Sequence, residues 1–153
     1  RNDRANLELQ IMKNKFSNTT LFLFLLLFNG QLSASNEYFN EGINFYKQKE
    51  FEKAKFKFEQ DIVYNPKNEN SYLYLSKIFR EQKEKELEEK NLNTVIMLNP
   101  KNEEANYNLA KLKLEQSDFK KSKKLIDQLI VFCKTFCQKS EKLKVEIEKS
   151  LKK

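Results

Sequence analysis

The chain has 153 residues, enough for one domain, and 33% of them are charged against 39% hydrophobic, as suits a soluble helical protein with a modest core. Histidine is absent, which removes Ser-His-Asp and Cys-His nucleophilic sites and His-ligated metal sites together. Two glycines and two prolines leave little for sheets with tight hairpins, and the net charge of +7 sits at the ends: residues 35–102 balance 12 basic against 12 acidic side chains, whereas residues 103–153 hold 13 against 8.

Residues 12–34 read as a leader. Met12-Lys13-Asn14-Lys15 is a charged start, Leu21 to Phe28 is an unbroken Leu/Phe run, and Ser33-Ala34-Ser35 supplies a small-residue exit, the layout of a secretory signal peptide. The run is shorter than the roughly 20 residues that span a bilayer, so cleavage after Ala34 or Ser35 is favoured over an uncleaved membrane anchor at 12–34. Residues 1–11 precede a natural signal-peptide start and read as an upstream extension. Export to the periplasm or envelope follows, and the abundance of Lys, Asn, Phe and Ile suits a low-GC bacterium.

Beyond the leader, helical periodicity takes over. Tyr38, Gly42 and Phe45 share one face of a first helix, and Phe51, Ala54, Phe58 and Ile62 form a stripe on a second, with a polar corner at Lys47–Glu50 between them. Then comes Asn65-Pro66-Lys67-Asn68-Glu69. The same five letters return 34 residues later at Asn99-Pro100-Lys101-Asn102-Glu103. Proline cannot continue a helix and pushes the preceding residue to extended geometry. The two pentapeptides therefore mark corners, and the spacing of 34 marks helical-hairpin repeats at 35–68, 69–102 and 103–136. Residues 81–90 are almost wholly charged, so the corner of the second repeat is expected to pack most loosely. In 137–153, Leu143, Ile147 and Leu151 make one narrow stripe, as a capping helix requires.

These residues resemble the tetratricopeptide repeat. Tyr38, Gly42, Phe45, Ala54, Phe58 and Pro66 match its pattern in order. The second repeat matches at Tyr72, Leu75, Ser76, Phe79, Leu92 and Pro100 and departs at Lys85 and Glu88. The third matches at Leu109-Ala110, Phe119 and Ser122 and lacks the proline. The resemblance implies an all-α fold, a superhelical stack of antiparallel helix pairs with about three repeats and a C-terminal capping helix. It also implies a concave groove lined by the first helix of each pair. The groove positions are Asn36, Phe39, Asn40, Ile43 and Tyr46; Asn70, Leu73, Tyr74, Lys77 and Arg80; and Glu104, Tyr107, Asn108, Lys111 and Leu114. Rings beside amides suit a bound peptide, the rings covering apolar side chains and the amides pairing with backbone. Some of these rings, Phe39 and Ile43 among the candidates, could equally be core between repeats. A clamp for the carboxylate of a chaperone tail needs Lys and Asn where Phe39 and Ile43 stand.

No catalytic constellation is present. Carboxylates alternate with lysines as ion-pair decoration, there is no Gly-rich phosphate loop, and no cofactor is implied. Cys133 and Cys137 are too few to close a zinc site and lack redox-motif spacing. In an unbroken helix they would be too far apart to bond. A bend at that point would allow a disulfide, and without one they are two part-buried thiols. Lys120, Lys121, Lys123 and Lys124 form a basic cluster without arginine, which reads first as a solvated face and only secondarily as an anionic-surface or nucleic-acid contact. The sequence thus predicts a non-catalytic, exported scaffold for a protein or peptide partner of the envelope, with membrane association through 12–34 and self-association left open.

Overall fold

The computed structural model describes residues 34–152, with side chains from residue 37 onward. The readings of residues 1–33 lie outside the described residues. The chain divides into two units, Arg1–Glu37 and Tyr38–Lys153, and the architecture below is that of the second. The described residues hold seven α-helices and no strand: α1 (Ala34–Lys47), α2 (Phe51–Tyr64), α3 (Glu69–Glu81), α4 (Lys85–Leu98), α5 (Glu103–Glu115), α6 (Phe119–Phe132) and α7 (Cys137–Leu151). None of these helices is long and apolar enough to cross a membrane.

Each pair folds back on itself. Tyr38 near the start of α1 stacks on Tyr64 at the end of α2, while Tyr46 near the end of α1 meets Phe51 at the start of α2, so the helices run antiparallel. The corners that turn α1 into α2, α3 into α4 and α5 into α6 share one construction. Lys49, Lys83 and Ser117 each adopt a left-handed φ of 61–62°. The next amide reaches back five residues, Glu50 N–H to the Phe45 carbonyl, Glu84 to Phe79 and Asp118 to Lys113. This is the helix-ending arrangement usually built on glycine. Here a non-glycine residue occupies it in all three hairpins, at a cost of order 1 kcal/mol each.

The corners that join one hairpin to the next follow the repeated pentapeptide. Asn65 and Asn99 end α2 and α4, and the side chains of Asn68 and Asn102 accept backbone N–H bonds at the starts of α3 and α5. A carboxylate then fastens the open end of the hairpin. Glu69 at the start of α3 accepts from the side-chain amides of Asn99 and Asn102 beyond α4, at 2.9 and 3.0 Å. Glu103 at the start of α5 accepts from the backbone N–H groups of Lys134, Thr135 and Phe136 beyond α6, at 2.8–2.9 Å. The Phe136 N–H foremost, with the other two, holds the Glu103 carboxyl below its ordinary range.

Three apolar clusters lie between consecutive units. Ala54 and Phe58 pack with Leu75, Ile78 and Phe79; Leu73, Leu92 and Val95 with Ala105, Leu109 and Leu112; and Ala110, Ile126 and Leu129 with Leu143 and Ile147. Each hairpin thus covers its neighbour, and the last is covered by α7, which is the superhelical stack expected from the sequence. Places 34 residues apart are equivalent. Phe58, Leu92 and Ile126 are all fully buried, and Gly42, Ser76 and Ala110 are all buried small residues. At Gly42 the reason is direct, because a Cβ there would lie 2.6–3.0 Å from three ring carbons of Phe58. Gly42→Val is therefore expected to cost about 1–3 kcal/mol by overpacking, measured by urea unfolding. A variant as stable as the wild type would show that the ring can step aside.

The second hairpin is not the loose part of the stack. Its departing residue, Glu88, stands in the place of Ala54 and Ser122 yet is only 4% exposed, with Arg80 at 3.9 Å. The neighbouring Glu89 pairs with Lys113 on α5 and Lys121 on α6. The charged run therefore joins repeats instead of opening the corner. Burial, foremost, raises the Glu88 carboxyl above its ordinary value, with Arg80 opposing. Its ionised form is carried at a cost that stands above the raised pKa and fades as pH falls towards the unfolded value of about 4.3. The stability difference between Glu88→Gln and wild type should accordingly shift in favour of the variant as pH rises from about 4 to about 7. A difference independent of pH would mean the carboxylate is well solvated.

Candidate functional site

The predicted groove positions fall on α1, α3 and α5, one from each hairpin. On α1, Asn36 lies in the first turn, ahead of the described side chains; Asn40 is exposed, and Phe39 and Tyr46 are half-buried. On α3, Asn70 is exposed and Tyr74, Lys77 and Arg80 are half-buried; on α5, Tyr107 and Asn108 are half-buried and Lys111 is exposed.

The structure brings the rings of the first two hairpins together around Tyr74. Its centroid lies 5.1 Å from Tyr46, 5.2 Å from Phe58 and 6.1 Å from Phe39. Lys77 Nζ sits over the same ring at 4.6 Å from its centroid. These rings are partly core, since Phe39, Ile43, Tyr46 and Tyr74 all pack on the first apolar cluster. They are nonetheless only half-buried, and the exposed amides Asn40 and Asn70 lie on the same two helices, α1 and α3. Burial, then the Glu81 carboxylate, raises the Tyr46 phenol, so it stays protonated and can donate.

The cations are less free than their spacing implied. Lys77 Nζ pairs with Glu104 Oε1 at 2.8 Å, and Arg80 pairs with Glu115 at 3.2 Å, so both cations of α3 are answered by carboxylates of α5. Coulomb attraction from a ligand carboxylate would have to compete with these pairs. At the far end Tyr107 meets Phe136, 5.5 Å between centroids. Phe136 was missed in the sequence reading. Its signal was register: 133–137 stands 34 residues after 99–103, so Phe136 takes the place of Asn102 at the start of the following helix.

Two further features lie towards the C-terminal end of the stack. Cys133 and Cys137 are joined by a disulfide, made possible because Cys133 leaves the helix with extended geometry, φ −60° and ψ 151°. A concavity of about 560 Å³ opens between α6 and α7, lined by Lys120, Lys123, Lys124, Val131 and Leu151 among others. Asp127 in its wall is paired with both Lys123 and Lys144. The described residues contain no cluster of three or more potential metal ligands.

No protein-family model matches the sequence, and no curated protein does. Solved structures match the fold over most of the chain. The TPR domain of Arabidopsis OM64 is 19% identical and superposes with a TM-score of 0.68 over 78% of this chain and 98% of that one. The second TPR domain of human RPAP3, in complex with the HSP70 peptide SGPTIEEVD, gives 0.68 at 13% identity over 78% and 98%. The Yersinia enterocolitica type III secretion chaperone SycD, in complex with a peptide of the translocator YopD, gives 0.67 at 13% identity over 75% and 90%. The fold is that of tetratricopeptide repeat domains.

Proposed function

We propose that the chain is an exported, non-catalytic scaffold that holds a segment of a protein partner from the cell envelope along the face of α1, α3 and α5. The observation that carries this reading is the half-buried aromatic group around Tyr74, with a second ring pair, Tyr107 and Phe136, at the third hairpin, and the amides Asn40, Asn70 and Asn108 carried on the same three helices. Half-exposed rings supply apolar contact at low entropic cost, and exposed amides satisfy a peptide backbone. Domains of this fold in human RPAP3 and Yersinia SycD are in complex with peptides, which supports peptide binding in general. The acidic chaperone tail of the RPAP3 complex is a poor fit here, because Phe39 and Ile43 are packed apolar residues and the α3 cations already have carboxylate partners. The Leu/Phe run at 21–28 supports export.

The test is selection of twelve-residue peptides from a random library, followed by titration. Binding should survive about 0.5 M salt and weaken at least tenfold in Tyr107→Ala and Asn108→Ala, with Lys124→Ala unchanged. The basic concavity between α6 and α7 favours a second reading, an anionic surface contacted through the third repeat and tail. Binding that collapses with salt and depends on Lys120 and Lys124 would select that reading and overturn the first.

A further inference from the structure

The disulfide stands in a register that gives it meaning. Residues 133–137 are the third occurrence of the 34-residue corner, and Cys-Lys-Thr-Phe-Cys replaces Asn-Pro-Lys-Asn-Glu. Three devices used elsewhere in the described stack are missing there, although the Glu103 fastening and the Cys133 N–H bond to the Leu129 carbonyl are kept. The corner has no proline and no residue of positive φ, and Phe136 places no side-chain cap on α7, where Asn68 and Asn102 cap α3 and α5. From Phe119 to Leu151 the chain has no glycine or proline at all. Nothing in its local sequence stops α6 from running straight on into α7. In such a continuous helix the Cβ atoms of Cys133 and Cys137 would stand about 5–6 Å apart, against the roughly 3.8 Å a disulfide requires. The bond and the straight helix exclude one another.

We propose that the Cys133–Cys137 bond is a redox-set corner that holds α7 folded back on α5 and α6, and that the dithiol chain gains access to an extended α6–α7 helix. The bond forms by exchange with a small disulfide such as oxidised glutathione. One cysteine thiolate attacks and releases a glutathione thiolate, and the second cysteine then displaces the other, so two electrons pass to glutathione. In the folded-back state Leu143 and Ile147 are buried and the Glu103 carboxylate collects three backbone N–H groups of the corner. Straightening breaks both sets of contacts, so the disulfide shifts a balance and does not act alone. It also sets Phe136 against Tyr107, and on the groove reading given above, oxidation therefore completes the far end of the groove.

Hydrogen exchange of the full chain, oxidised and then reduced, tests this. Reduction should speed exchange at residues 133–151 at least tenfold and leave α3 and α4 unchanged, and Cys133→Ser with Cys137→Ser should behave as the reduced chain. Writing Asn-Pro-Lys-Asn-Glu into 133–137 should make α7 protection insensitive to reductant. Equal protection of α7 in oxidised and reduced wild type would overturn the proposal. So would a transplanted corner that exchanges as fast as the reduced chain. Peptide titration runs in parallel. Faster exchange without a change in peptide affinity keeps the redox corner and overturns only its link to the groove. Loss of all peptide binding in the oxidised chain overturns the groove and leaves the corner standing.

Discussion

Phe58→Ala is expected to lower the stability of the chain by about 3–5 kcal/mol, the loss for a fully buried ring that leaves a cavity. Phe58 is the keystone of the first hairpin. Its ring touches the space that Gly42 vacates, stacks on Tyr74 and lies 5.8 Å from Phe39. Two of its neighbours are poorly placed to fill the hole, because Gly42 has no side chain to advance and Tyr74 is held by Tyr46 and Lys77. A domain of this size has only some 5–15 kcal/mol in all, so the variant should be largely unfolded by modest urea. Phe58→Leu places there the residue that the second hairpin carries at Leu92 and should cost less than about 1.5 kcal/mol. Urea unfolding of both variants decides the matter, and an alanine variant losing less than about 1 kcal/mol would show that the first hairpin contributes little to the stack.

Tyr74→Ala is expected to reduce stability by about 2–3 kcal/mol and to weaken peptide binding at least tenfold. Tyr74 belongs to the second hairpin, and its neighbours Phe39, Tyr46 and Phe58 belong to the first. Removing it uncouples two repeats and deletes the centre of the aromatic group. Tyr74→Phe keeps the ring and should keep both properties. Calorimetry with a selected peptide separates the roles. Lost stability with unchanged affinity would make Tyr74 core alone and move the binding face elsewhere.

The architecture was legible because its punctuation is local. Proline at 66 and 100 and the residue spacing of 34 place helix ends without any knowledge of tertiary contacts. The buried stripe residues Ala54, Phe58, Leu143 and Ile147 followed from period alone, whereas Leu151 of the same stripe is exposed. The site was less legible for an equally physical reason. A face carries no record of which charges on neighbouring helices will meet, so the sequence places Lys77 and Arg80 on the groove face without pairing them to Glu104 and Glu115, 27 and 35 residues away. Glu88 misled in the same manner. A carboxylate in a small-residue place looks like a packing fault when the guanidinium opposite it belongs to the preceding helix.

The carboxylate fastenings at Glu69 and Glu103 have a consequence for motion. A hairpin held only at its turn can fray progressively from its free ends. The second and third hairpins are secured at both ends, by the left-handed turn at one and by the carboxylate at the other. Fraying by single turns then breaks a fastening at the outset, and the smallest inexpensive excursion becomes the whole hairpin. Opening should therefore come in quanta of about one repeat, so that amides within a hairpin share one exchange free energy while different hairpins keep their own.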